Sequence, residues 1–179
     1  REGRDLLGAG YDFALVSVHD PDEYLAAGGD REDIIDAYRA LFELKAAGEV
    51  KAVGIGAKDW RVVRDLYRQV KFDWVMFACA PTILRHPPEL LDFMRRLAAD
   101  RVGIINSAVF NGGFLTGGDF LDYRRADPVR DAAAFETRGR FLEICGRYGI
   151  EPAAAAVEFG MRLPGVVATA LNTSHPGRI

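Results

Sequence analysis

The stretch FALVSVHDPDEY, residues 13–24, carries an apolar run that stops at His19 and then turns through Asp20, Pro21, Asp22 and Glu23. In a parallel α/β sheet, ligands bind at the carboxyl ends of the strands. A histidine delivered there can hydrogen-bond a substrate oxygen and orient it. The competing reading of His19 is a structural residue that caps a strand end. The three acids could ligate a metal, but acids around a proline are better read as helix caps and solvated charge, so no metal site is expected. His86 and His175 each precede a proline and read as loop residues. Lys58 follows the apolar KAVGIG, and a Schiff-base aldolase would want a lysine at such a strand end. Asp59 beside it reads as a helix cap. Paired carboxylates at strand ends, which a glycosidase would need, do not occur. Asn106 and Asn111 bracket another strand end, where an amide could hold a carboxamide or a sugar hydroxyl. Trp60 and Trp74 read as packing residues, and Arg124 and Arg125 as a solvated loop.

Strands and helices alternate along the chain. Strands are predicted at 12–18, 51–56, 73–80, 102–110 and 165–172. A helix is predicted at 30–48, with Asp30 as its cap, Asp33 in its first turn and Gly48 at its end. Ile34, Tyr38, Leu41 and Leu44 fall on one face of it. Asp59 opens a second helix that buries Val63, Leu66, Tyr67 and Val70. Further helices follow the Pro87–Pro88 pair, span 130–148 and start at Pro152. Between them, 111–128 is a Gly-rich loop too long for an ordinary connection. Near-continuous apolar strands alternating with helices imply a parallel sheet covered by helices. An open doubly wound sheet and a closed (β/α)8 barrel both meet that description. No GxGxxG opens a helix after a strand, and the long loop suits a barrel's active-site loop.

The chain has 179 residues, 49% of them hydrophobic and 27% charged, which fits one α/β domain spanning 1–179. Its net charge of −3 offers no basic field for nucleic acid. No apolar run approaches the roughly 18 residues of a membrane span, and no secretory leader is read at residues 1–10. Cys79 and Cys145 lie in apolar segments and read as reduced core thiols, so a cytoplasmic location is expected.

The stretches LVSVHDPD, LFELKAAGEVKAVGIGAKDW, GIINSAVFNGGFLTGG and ATALNTSHPGRI together resemble the aldo-keto reductases, across nearly the whole chain. More narrowly they resemble the branch of L-fucose, D-threo-aldose and L-galactose dehydrogenases. The resemblance implies a (β/α)8 TIM barrel that binds NAD or NADP without a Rossmann domain. It aligns the five strands with the family's fourth to eighth, so the barrel is incomplete and its first three strands are absent. About 250 residues are usual for a complete barrel. The expectation is a fragment, or a chain completed by segments or partners outside these residues.

Of the family's catalytic tetrad, the resemblance matches only the histidine, at His19; the aspartate, tyrosine and lysine have no match. It implies cofactor contacts at Ser107, Ala108, Phe110 and Gly112, where backbone N–H groups can meet phosphate, and at Asn172, Thr173 and Ser174. Ser107 stands where many relatives stack a tyrosine on nicotinamide. Ser174 stands where NADP-preferring relatives carry a basic residue, although Arg178 is near, and this favours NAD. The implied reaction is oxidation of an aldose sugar at C1 to the lactone. The isolated chain is expected to be inactive. The alternatives are a non-catalytic nicotinamide-nucleotide-binding module and the barrel aldolase. The residues do not define an oligomeric state.

Overall fold

The computed structural model describes residues 13–173 and Gly177. Five parallel strands form one sheet: β1 (Leu15–His19), β2 (Ala52–Ala57), β3 (Trp74–Ala78), β4 (Gly103–Ser107) and β7 (Val166–Ala170). Their spatial order is β1-β2-β3-β4-β7, so among the described residues β1 and β7 are its edges. Helices α1 (Pro21–Ala26), α2 (Arg31–Ala46), α3 (Trp60–Leu66), α4 (Pro88–Ala99), α5 (Ala132–Tyr148) and α6 (Pro152–Met161) connect the strands. A two-stranded hairpin, β5 (Phe120–Leu121) and β6 (Arg124–Arg125), lies between β4 and α5. No helix among the described residues is long and apolar enough to cross a membrane.

The helix starts follow the local sequence. Asp30 accepts a hydrogen bond from the Glu32 N–H at 3.0 Å, and Asp59 accepts one from the Arg61 N–H at 2.9 Å. Pro21, Pro88 and Pro152 sit in first helical turns, where the missing N–H costs nothing. On α2, Ile34, Ile35 and Tyr38 are buried, and Leu41 and Leu44 pack against the same core.

The sheet's period-two alternation separates two faces. Val53, Ile55, Val75, Phe77 and Ile104 point to the helices and have no exposed surface. The other face carries the row His19, Gly56, Met76, Ile105 and Ala168, aligned by the strand registers. One row below it lie Ser17, Gly54, Trp74 and Gly103. A Cβ on Gly54 would fall 2.3 Å from the Trp74 ring, so only a glycine lets that indole cross β2.

The strand expected over 102–110 ends at Ser107, because Ala108 turns left-handed at φ 52°. The strand expected over 73–80 ends at Ala78 for the same reason, with Cys79 at φ 61°. Within the long loop, a 3-10 turn at Phe114–Thr116 and the hairpin are elements that the residue pattern did not indicate. The turn after His19 is the short helix α1.

Asp73 joins four elements at the amino end of the sheet. Its carboxylate receives Lys45 Nζ of α2 at 2.6 and 2.7 Å and the Val53 N–H of β2 at 2.8 Å. Its backbone N–H donates to Val53 O, and its carbonyl accepts from the Gly103 N–H of β4. Removing the carboxylate strands a buried N–H, whereas the partly exposed ion pair adds little. Asp73→Ala should therefore cost about 2 kcal/mol in urea unfolding, and Asp73→Asn, which keeps an acceptor for Val53, less than about 1 kcal/mol. Equal losses would show that the ion pair, and not the N–H, carries the stabilisation.

Candidate active site

A cleft of about 400 Å³ opens at the carboxyl ends of β1 to β4, lined by His19, Lys58, Met76, Ser107 and Tyr123 among others. His19 ends β1 and pairs in register with Gly56. Asp20 follows at φ 50°, and its N–H donates to Gly56 O at 2.8 Å, which turns the chain away from the sheet. The Asp20 carboxylate lies 3.1 Å from His19 Nδ1 and leaves Nε2 as the ring nitrogen available to the cleft. A Cβ on Gly56 would lie 3.2 Å from His19 Cδ2 and 3.4 Å from Nε2, so the glycine makes the floor on which the imidazole rests.

Two of the acids after His19 serve as struts. Asp22 accepts from the Lys58 N–H at 3.1 Å and from the Asp59 N–H at 2.8 Å, which binds α1 to the end of β2. Glu23 pairs with Lys58 Nζ at the cleft's rim. That hydrogen bond holds the Lys58 ammonium protonated above the usual lysine range, against a smaller opposing effect of burial. A lysine held toward its charged form by Glu23 is a poorer Schiff-base nucleophile, which argues against the aldolase alternative.

The facing wall is the β5–β6 hairpin. Asn111 is fully buried; its Nδ2 donates to Cys79 O at 3.2 Å and to Asp122 Oδ1 at 2.8 Å. Arg85 reaches Asp122 Oδ2 at 2.9 Å. Thus β3's end, the loop and the hairpin share one polar knot. Tyr123, next along, lies with its ring 5.3 Å from Lys58 Nζ. Burial, reinforced by the Asp122 charge, pushes the Cys79 thiol up to about 12. Burial also raises the Tyr123 phenol, with Lys58 pulling the other way.

The structure brings the expected cofactor residues to one end of neighbouring strands. Ser107 lines the cleft, and its hydroxyl donates to Phe77 O at 3.0 Å. Ala108 begins the loop. The half-buried Phe110 accepts from the Gly113 and Leu115 N–H groups through its carbonyl. Gly112 stands at φ 75°, where a Cβ would lie 3.1 Å from Phe120 O. Asn172 and Thr173 follow β7, whose Ala170 is the register partner of Ser107. Ser174, with His175 and Arg178, lies outside the described residues. Asn111 (φ 49°), Gly112 and Gly113 are successive left-handed residues, and the Asn111 and Gly113 N–H groups donate within the loop to Ala108 O and Phe110 O.

Other expected positions fall elsewhere. Asn106 is fully buried and donates to Pro81 O at 3.0 Å, so both asparagine amide nitrogens brace loops and are not offered to a ligand. His86 bonds Thr82 O at 2.8 Å and packs its ring on Phe159, away from the cleft. Cys79 and Cys145 are buried free thiols. Trp60 is buried, while Trp74 lies across the open face of the sheet. Tyr123 was not among the expected site residues, because its place at the cleft depends on the β5–β6 turn.

A family model described as the aldo/keto reductase family matches residues 5–179, and the chain belongs to that family. It is 29% identical over 183 residues to a pyridoxal 4-dehydrogenase of Microbacterium luteolum, covering 98% of this chain and 50% of that protein. It is 25% identical over 178 residues to a D-threo-aldose 1-dehydrogenase of a Pseudomonas species, covering 92% of this chain and 49% of the relative. The chain thus spans about half the length of the curated relatives it matches. The fold is similar to that of an aldo-keto reductase from Bacillus halodurans in its holo form, with TM-score 0.63 and 18% identity, over 93% of this chain and 51% of the other. The sheet and its helices are therefore part of a (β/α)8 barrel.

Two measurements check this geometry. At pH 8 a thiol titrating near 12 is thiolate in only about one part in ten thousand, so Cys79 should resist iodoacetamide in the folded chain and react once urea exposes it. Peptide mass spectrometry reads both states; rapid native labelling would contradict the buried placement. Gly56→Ala should shift the His19 ring resonances in ¹H–¹³C spectra while lowering the melting temperature by only a few degrees. An unmoved His19 signal would remove Gly56 as its floor.

Proposed function

We propose that the protein containing this chain is an NAD(P)-dependent dehydrogenase that oxidises an aldose at C1 to the lactone, with His19 holding the reacting hydroxyl. The observation that carries the reading is His19 at the carboxyl end of β1, its Nε2 free for the cleft beside Gly56. The aldose-dehydrogenase name of one relative supports the substrate class.

Oxidation at C1 removes a hydride from carbon and a proton from the hydroxyl. A bound nicotinamide supplies the hydride acceptor. With Nδ1 engaged by Asp20, Nε2 accepts a hydrogen bond from the C1 hydroxyl and fixes its direction. Ser107, Ala108, Phe110 and Gly112 would hold the cofactor's nicotinamide and phosphates. Asn172 and Thr173, with Ser174 beyond them, would hold the adenosine end. The absence of a basic residue at Ser174 favours NAD.

His19 orients but does not by itself carry the proton away. The aspartate, tyrosine and lysine that the family resemblance implies have no match in the 179 residues, so these residues alone should not turn over. The whole protein would supply that relay.

The test is reduction of NAD and NADP, followed at 340 nm, by the whole protein with a panel of aldoses and with pyridoxal. His19→Gln should lower kcat/KM about 100-fold, the scale of a lost positioning hydrogen bond in catalysis. Turnover of pyridoxal without aldoses would move the substrate class. Cofactor binding with no turnover of any of them would favour the nucleotide-binding module.

A further inference from the structure

The turn of the β5–β6 hairpin contains two residues, Asp122 at φ 48° and Tyr123 at φ 72°. Both central residues are left-handed, as in a type I′ turn, whose second position is normally glycine. A bulky aromatic there is a backbone outlier that costs free energy and persists only where its surroundings hold it. The surroundings do hold it. Asp122 is fixed by Asn111 and Arg85. Tyr123 is held over the cleft, with its hydroxyl beside the Cys79 thiol and its ring beside the Lys58 ammonium. Despite these neighbours the residue remains 66% exposed. Among the described residues the outer face of the ring is uncovered and turned to the cleft.

We infer that Tyr123 is a specificity-determining wall of the cleft, an aromatic surface on which the C–H face of a sugar ring lies while His19 holds its C1 hydroxyl. The chemistry around it suits that ligand. Glu23 and Asp20 offer carboxylate oxygens to hydroxyl donors, and Lys58 offers a donor to ring or hydroxyl oxygens. Met76 and Ala78 give an apolar floor opposite. An open-chain ligand would leave the tyrosine face uncovered. The inference rests on the aldose reading above and names the residue that selects within it.

Two variants separate ligand selection from scaffolding. Tyr123→Gly and Tyr123→Asn both accept the left-handed turn and remove the ring. A wall predicts opposite signs: the melting temperature stays level or rises by a few degrees, while KM for the aldose rises about tenfold with kcat within about threefold. Tyr123→Phe keeps the ring and should hold KM within about threefold. A scaffolding role predicts the reverse, with both ring-less variants melting lower and KM unchanged, and that result overturns the inference. If the whole wild-type protein turns over no aldose, the aldose reading alone falls. Calorimetric binding of aldoses and pyridoxal to wild type and variants then decides the wall. Affinity lost with the ring supports it. Equal affinity, or no binding to the wild-type cleft, overturns it.

Discussion

The site depends on two missing side chains. In β2 the sequence AVGIGA places Val53 and Ile55 toward the helices and Gly54 and Gly56 toward the open face. The valine and isoleucine are fully buried and contribute roughly 1.5–3 kcal/mol each to the core. On the other face the glycines contribute space. Gly54 lets the Trp74 indole cross the strand, and Gly56 lets the His19 ring settle against the sheet. A side chain at either position would meet its neighbour closer than ordinary contact. One strand thus anchors the helical layer with one half of its residues and makes the ligand face with the other. Glycine in a strand interior ordinarily weakens it. Here the parallel pairing on both sides and the packing of the alternate residues compensate.

The second support is polar and buried. Asn111 and Asp122 add a polar lock to the Gly-rich loop beside its buried apolar residues Val109, Phe114, Leu115 and Leu121. Burying an amide is unfavourable unless its hydrogen bonds are made. Asn111 makes two through its nitrogen, to Cys79 O and Asp122, while its oxygen stays without a partner among the described residues. The gain is position: Cys79 is at the end of β3, Asn111 in the loop and Asp122 in the hairpin, so one residue registers three segments. Arg85 completes the knot from the loop before α4. Left-handed backbone at Cys79, Asn111, Asp122 and Tyr123 clusters around this knot, as strain does around binding sites.

What the sequence made legible follows from the range of the forces involved. Helix starts are local: Asp30, Asp59, Pro88 and Pro152 act within a few residues, and their placement agrees with the structure, while the short helix at Pro21 was read only as a turn. The strand positions and the helix-facing core follow from apolar periodicity, which is local too, whereas the choice between an open sheet and a barrel came from the family resemblance. Strand ends were read two or three residues too long at Cys79 and Ala108, where the chain turns left-handed beside contacts far along the sequence, such as Cys79 N to Ser107 O. Lys58 could be placed only at a strand end, since its direction depends on Asp22 and Glu23 of α1. The hairpin was hidden for a chemical reason. Its turn reads Asp-Tyr where hairpins announce themselves with Asp-Gly or Asn-Gly, and what overrides the local preference is a buried asparagine 11 residues away.

On the proposed dehydrogenase reading, the chemistry is divided across the barrel. This part would supply orientation, through a histidine with one nitrogen engaged by Asp20 and a charged rim at Lys58 and Glu23. It holds no group matched to moving the proton. The open face also keeps a polar atom waiting, since Trp74 Nε1 is buried without a partner among the described residues. A buried donor without an acceptor costs about 1–3 kcal/mol, and a partner from across the barrel axis would recover it. The same row that carries Trp74 lies directly below the His19 row, so whatever covers the indole also closes the floor of the cleft. On the proposed reading, completion of the core and exclusion of water from the reacting hydroxyl would be one event, and orientation by His19 would gain strength as the local dielectric falls.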